Sequence, residues 1–202
     1  MRDYTEPALA LLEFCSIAVG LQAADAMVKK SPISRIASGT VQPGKYLVMI
    51  AGEVAEVEES REAGLEIGSS CLLDQVFLPA VHPDVVSAIV GGDLEGTGEA
   101  LGIIETVHAA STIQAADAGV KGAQVALRQV RLADGLGGKG FCLFQGVVSD
   151  VEAAVEIGVG SLPTPGYLVQ QVVIPQLHMD VAAYLAQSTS FGALVWLEGG
   201  TW

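Results

Sequence analysis

The stretch QAADAMVK, Gln22 to Lys29, returns as QAADAGVK, Gln114 to Lys121, with seven of eight residues unchanged at an offset of 92. The same offset lays ALALLE (Ala8 to Glu13) on ALGIIE (Ala100 to Glu105). Gly44-Lys45 and Gly52 recur as Gly138-Lys139 and Gly146 at an offset of 94, and Pro79 and His82 recur as Pro175 and His178 at 96. Colinear matches with a slowly growing offset mean short loop insertions between two copies of one unit. The chain is a tandem duplication with about 85 residues per copy. Any reading of one copy can therefore be checked against the other.

We expect a first domain over residues 8–90, a linker over 91–99, a second domain over 100–188 and a tail over 189–202. The linker reading rests on VGGDLEGTGE, rich in glycine and acid. Phe191, Leu194, Val195 and Trp196 in the tail are expected to dock as a strand on a neighbouring surface.

Within a copy, ALALLEF is a short apolar run that reads as a buried strand. Ile17, Leu21, Ala24 and Val28 recur at spacings of three or four and fall on one face of a helix over residues 16–30. SRIASGTV and KYLVMIAG flank a Pro-Gly turn and read as a hairpin. EVAEVEESREAGLEIG is an acidic helix whose Glu56, Glu58, Glu59 and Glu62 suit a solvated face. DQVFLPAV is a strand stopped by Pro79, and Pro83 then opens a short helix, where proline is favoured. In the second copy Ser149 and Glu152 have the spacing of a capping box. Each copy thus reads βαββαβ plus a short helix. The fold class is α+β, an α/β sandwich of two tandem ferredoxin-like domains.

Composition excludes several functions. Ten basic residues against 23 acidic ones leave a net charge of −13, and no Lys/Arg cluster offers a face to nucleic acid. Anionic membrane surfaces are disfavoured for the same reason. Mean hydropathy is high at +0.48, yet every long apolar run is cut by a charge or histidine such as Asp74, His82, Glu105 or Asp117. Cys15, Cys71 and Cys142 are odd in number and far apart, which suits reduced thiols in a cytosol.

SGTVQPGKY, residues 38 to 46, has the glycine-to-Gly-Lys spacing of a phosphate-binding loop. Such a loop needs a Ser/Thr after the lysine to hold magnesium, and a helix N-terminus facing the anion. Tyr46 follows Lys45 here, the next segment reads as a strand, and the second copy has Ala133 in place of Gly39. A tight hairpin turn using glycine at positive φ is the simpler reading. Gly135, Gly137 and Gly138 match Gly39 and Gly44 in the other copy, so two equivalent glycine loops stand in one chain.

Other chemistry is sparse. His82 and His178 are repeat equivalents without Cys or His at metal-ligand spacing, and read as structural residues at strand ends. Neither Gly-x-Ser-x-Gly nor His-Glu-x-x-His is present. Lys29 and Lys121 each end a helix, where a cation favours the dipole. No nucleophile or acid–base pair can be placed, so an enzyme is not expected.

ALGIIET, QAADAGVKGAQVAL, GLGGKGFCLFQGVVSDVEAAVE and VVIPQLH together resemble the repeat of bacterial microcompartment shell proteins. ALALLEF, QAADAMVK, PGKYLVMIAGEVAEVEE and LPAVHP in the first copy resemble it as well. The match covers both copies in the non-permuted order and is similar to the tandem shell proteins of propanediol utilisation. The resemblance implies a homotrimer whose six domains form a pseudohexagonal disc in a shell within the bacterial cytoplasm. It implies self-association and tiling with hexameric and pentameric shell proteins, with no nucleic-acid or membrane partner. The glycine loops would border a central pore for small polar metabolites, lined by Val41, Gln42 and Pro43 and by Gly135, Leu136 and Gly137. Tiling contacts would fall on Lys29, Lys121, His82 and His178. Whether two discs stack face to face stays open.

Two departures matter. A loop cysteine that helps bind an iron–sulfur cluster in those relatives is replaced by Gln42, so no cluster, metal or other cofactor is expected. The family's Pro-Arg-Pro-His edge motif stands as Pro79-Ala80-Val81-His82 and Pro175-Gln176-Leu177-His178, without the arginines that could bridge edges. The alternative is a tandem ferredoxin-like regulatory protein whose glycine loops bind an effector ligand.

Overall fold

The computed structural model describes residues 8–91 and 98–187. The expected docking of the tail, and most of the expected linker, lie outside the described residues.

The first copy runs β1 (Ala8–Phe14), α1 (Ile17–Lys30), β2 (Arg35–Val41), β3 (Lys45–Gly52), α2 (Val54–Gly68), β4 (Leu72–Leu78) and α3 (Pro83–Ile89). The second repeats it as β5 (Ala100–Thr106), α4 (Ala109–Gly122), β6 (Ala126–Leu132), β7 (Gly140–Gly146), α5 (Val148–Gly160), β8 (Leu168–Ile174) and α6 (Met179–Gln187). The two antiparallel sheets have the orders β2-β3-β1-β4 and β6-β7-β5-β8, with the first strand of each copy central. This is the tandem βαββαβ arrangement expected from the sequence. The register shifts at Glu13/Phe14 and again at Glu105/Thr106, so even this irregularity is duplicated.

The central strand β1 is buried at every residue. Ala8, Ala10, Leu12 and Phe14 point to α1 and α2, and pack with Ala23, Met27, Val48, Ile50 and Val57. The alternate face carries Leu9 and Leu11 into a second cluster, built mainly from the other copy. Period-2 alternation thus gives β1 two buried faces, one inside its own domain and one against its neighbour. Small residues let α1 lie close to its sheet: a Cβ added at Gly20 would fall 2.6 Å from Tyr46 Cδ1. Among the described residues, no helix is long and apolar enough to cross a membrane.

One local expectation is corrected, and one face is placed. Ser149 lies inside α5, whose N-cap is Val147 without a side-chain capping bond, so the Ser149–Glu152 box does not form. On α1, the residues turned to the sheet are Gly20, Ala23, Ala24 and Met27, while Ile17, Leu21 and Val28 are exposed. Close packing selects the small residues for the sheet side, which leaves the larger apolar stripe facing outward.

Candidate functional site

The structure brings the two glycine loops together. The β2–β3 turn pairs Val41 with Lys45 across Gln42, Pro43 and Gly44. Gly44 takes φ +90°, and its N–H donates to the Val41 carbonyl at 3.0 Å. The β6–β7 loop is longer: Ala133 N–H donates to the Lys139 carbonyl at 2.8 Å, and Leu136 and Gly138 N–H both donate back to the Ala133 carbonyl. Positive φ at Ala133, Gly135, Gly137 and Gly138 curls this segment into a knot of its own backbone bonds. Gly138 abuts the first loop so closely that a Cβ there would lie 2.9 Å from the Gln42 carbonyl oxygen.

Gln42, Pro43, Gly135 and Gly137 are exposed, whereas Val41 and Leu136 are half-buried, Val41 against the second copy's core. Lys45, the lysine of the phosphate-loop pattern, is committed elsewhere. Its Nζ donates to Glu13 Oε1 at 2.6 Å and to the Gly138 carbonyl at 3.2 Å.

Glu13 is the centre of the seam between the copies. Its side chain is fully buried and accepts from Lys45, from His108 Nδ1 at 3.0 Å and from the Ala109 N–H at 2.8 Å. Burial alone would raise its pKa. The hydrogen bonds from His108 and Lys45, the Lys45 charge and the Ala109 amide outweigh that and hold it below the usual range. Beside it, Asp74 accepts from the Ser111 N–H at 2.9 Å and the Ser111 hydroxyl at 2.6 Å. Here burial prevails over the hydrogen bonds and raises the carboxyl pKa. Tyr167 closes this end, its hydroxyl donating to the Leu73 carbonyl at 3.1 Å and its ring meeting His108 edge-on at 4.7 Å.

Lys121 also works at the seam. It pairs with Asp117 at 2.6 Å and donates to the Ala80 carbonyl of the first copy, while the His82 N–H donates to Asp117 at 2.8 Å. The equivalent pair, Lys29 with Asp25, is exposed on both sides. His82 and His178 each accept from an amide two residues on, Asp84 and Asp180, at the starts of α3 and α6. Glu13, Asp74 and His108 carry no motif. The available signal was a repeated opposite-charge pair, Glu13 with Lys45 and Glu105 with Lys139, in which Lys45 opens β3 and Lys139 directly precedes β7, each beside the strand that carries its glutamate.

One half of each interface lacks its counterpart. On α4, Ile113 is 0% exposed because it packs on the first copy; its equivalent Leu21 on α1 is 53% exposed. On the opposite side, Val76 and Val85 are 4% and 0% exposed, yet their equivalents Val172 and Val181 on β8 and α6 are 41% and 47% exposed. A depression of about 320 Å³ lined by Glu105, Leu136, Lys139 and Phe141 lies on the second copy, where the equivalent surface of the first copy is covered by Gly138 and His108. The chain therefore carries one satisfied copy-to-copy seam and the two unsatisfied halves of another.

Among the described residues, no three His, Cys, Asp or Glu side chains converge on a common point. The three cysteines lie outside the glycine loops.

A duplicated α+β unit that buries one half of a seam internally, and leaves the matching halves outside, defines a tandem-domain assembly protein. The BMC domain matches over residues 8–81 and again over 100–177, so the chain belongs to this family, that of bacterial microcompartment shell proteins, with two domains in tandem. It is 39% identical over 171 residues to the bacterial microcompartment shell protein PduT of Citrobacter freundii, across 85% of this chain and 93% of that protein. It is 24% identical over 201 residues to the carboxysome assembly protein CcmO of a Synechocystis strain, across 92% of this chain and 66% of that one. The crystal structure of a microcompartments protein from Desulfitobacterium hafniense DCB superposes with a TM-score of 0.76 at 42% identity, over 88% of this chain and 99% of that one.

Proposed function

We propose that this protein is a structural, non-enzymatic subunit of a bacterial microcompartment shell, working as a homotrimeric tile with six domains around a central pore. The observation that carries the reading is the pair of orphan half-seams. Leu21 and its neighbours on α1 present what α4 buries internally, and Val172 and Val181 present what β4 and α3 bury internally. A head-to-tail contact of this kind either closes into a ring or runs on as a filament. Six equivalent domains from three chains would close it, with residues 8–90 and 100–188 as the two shell domains of each chain. At the new seam Lys139 would reach the Gly44 carbonyl of the next chain, as Lys45 reaches Gly138 within the chain.

In that ring the two abutting glycine loops fall on the same end of the seam in every domain and border the axis. Gln42 presents a neutral amide that can both donate and accept hydrogen bonds, and Leu136 sets an apolar constriction beside it. This suits passage of small polar metabolites in preference to strongly charged ones. Val41 and Pro43, with Gly135 and Gly137, shape the loops that hold these two side chains. Lys29, Lys121, His82 and His178 are assigned to contacts with neighbouring hexameric and pentameric shell tiles, in the bacterial cytoplasm.

Native mass spectrometry tests the ring. A species at three times the 20.8 kDa chain mass, or at six times if discs stack, supports it. A monomer or dimer at every concentration overturns it. Exchange of Gln42 and Leu136 for larger side chains should slow metabolite passage through assembled shells, and unaltered permeability would refute the pore assignment.

A further inference from the structure

Cys15 and Cys71 take no part in the seam contacts described above, and they face one another. The β1–β4 ladder pairs Phe14 with Leu72, and the next step of that register sets Cys15 opposite Cys71. The Cys15 N–H donates to the Cys71 carbonyl at 2.8 Å, which holds the two backbones at strand spacing. Cys15 directly follows β1, and Cys71 ends a short 3-10 turn directly before β4, so this bonded pair sits one step beyond strands whose opposed Cα atoms are about 4.5–5.5 Å apart, inside the range that a disulfide spans. Cys15 is exposed and Cys71 half-buried, so a small reagent can reach the pair.

The duplication supplies an internal comparison. In the second copy the same backbone bond runs from the Val107 N–H to the Tyr167 carbonyl at 2.9 Å. The fold therefore makes this junction without a cysteine at either position, and the first copy has one at both. Val107 and Tyr167 stay half-buried although the first copy packs against that end. By equivalence, Cys15 and Cys71 keep their access when a neighbouring chain packs there.

We infer that Cys15 and Cys71 form a reversible dithiol–disulfide site, oxidised by small-molecule disulfides of the glutathione type. One thiolate attacks the small disulfide, forming a mixed disulfide and releasing one small thiol. The second cysteine, as its thiolate, attacks the protein sulfur of that mixed disulfide, forming the Cys15–Cys71 bond and releasing the second small thiol. Two electrons pass to the oxidant, and the two protons leave with the released thiols. An interaction with Cys71, followed by desolvation, raises the Cys15 pKa, so the reduced Cys15 thiol is mostly protonated at neutral pH and reacts faster as pH rises. The closed bond ties the entry of α1 to the start of β4, just ahead of the exposed stripe on α1. Cys142 is fully buried, its thiol pushed up to about 12 by desolvation, and serves as an inert internal reference.

The site stands independently of the shell reading, because it needs only one chain. The test is to equilibrate the reduced full-length protein with glutathione buffers of rising oxidised fraction, then quench, denature and alkylate. Reduced protein takes up a maleimide at each of its three cysteines. Oxidised protein should take up one, at Cys142, and yield a linked Cys15–Cys71 peptide. The Cys15→Ser and Cys71→Ser variants should each stop at a glutathione adduct on the remaining thiol. Three alkylated cysteines throughout, glutathione adducts without the linked peptide in the unsubstituted chain, or a link between chains would each overturn the proposal.

Discussion

Replacing Glu13 by glutamine should destabilise this protein by about 3 kcal/mol. The carboxylate is 0% exposed and receives Lys45 at 2.6 Å, His108 at 3.0 Å and the Ala109 amide at 2.8 Å. Glutamine keeps the volume and one acceptor, but turns an NH₂ toward a donor and leaves the Lys45 ammonium facing a neutral group. Removing one partner of a buried ion pair costs ~3–5 kcal/mol. Lys45 retains 14% exposure and the Gly138 carbonyl, which places the loss at the lower end of that range. With an unfolding entropy of ~2.1 cal/mol/K per residue over the whole chain, this corresponds to a fall in Tm of ~7 °C. The control is Lys29→Ala, whose pair with Asp25 is 72% and 60% exposed. Such a surface pair contributes no more than ~0.5 kcal/mol, or ~1 °C. Because the folded pKa of Glu13 is lowered, its contribution is complete above the usual 4.5 and is lost as pH falls through the lowered value. Thermal unfolding followed by circular dichroism at pH 7, and again below pH 4.5, should show a gap that is full at neutral pH and closes in acid. A Glu13→Gln variant that melts within ~2 °C of the parent at pH 7 would refute the claim that this carboxylate holds the seam.

Three further outcomes are expected. Asp74→Asn should change stability by less than ~1 kcal/mol at pH 7, because the raised pKa makes the ionised carboxyl a penalty that is relieved as pH falls, and asparagine still accepts from Ser111; a denaturant titration showing a loss as large as that of Glu13→Gln would contradict this. Gly20→Ala should lower Tm, since a Cβ 2.6 Å from Tyr46 Cδ1 brings an overpacking cost of ~1–3 kcal/mol that exceeds the ~1 kcal/mol gain in helix propensity. Leu21→Glu should leave the fold of a single chain intact, as that residue is exposed within it, but should give monomers in native mass spectrometry; a trimer of unchanged mass would remove α1 from the subunit contact.

Most elements were legible in the residues themselves. The short apolar run ALALLEF, the Pro-Gly turn between two β-rich runs and Pro83 at the start of α3 are local signals, and local geometry answers them. The duplication doubled each signal. The misreading came where two local rules competed. Ser149 and Glu152 have capping-box spacing, but the chain enters α5 two residues before Ser149 at Val147. On α1 the periodicity located an apolar face but not its partner, because Gly20, Ala23 and Met27 fit the sheet more closely than Ile17, Leu21 and Val28 do. Of the candidate site, the glycine loops could be recognised from their residues, while their contact could not, since Lys45 and Gly138 are 93 positions apart.

The residue order alone determined that there are two copies of one βαββαβ unit, that each presents a glycine loop, and that the phosphate-loop pattern lacks its magnesium ligand and its helix. Family membership followed from the same residues. Only the tertiary structure decided that the two loops adjoin, that Glu13 is the fully buried centre of a seam with Lys45 and His108, and that Leu21 is left outward while Ile113 is covered. The physical reason is range. Hydrophobic period and turn chemistry act between residues a few positions apart, whereas a carboxylate's environment and a helix face's partner are set by chain that returns much later, 32 positions on for Lys45 and 96 for Ala109 in the case of Glu13.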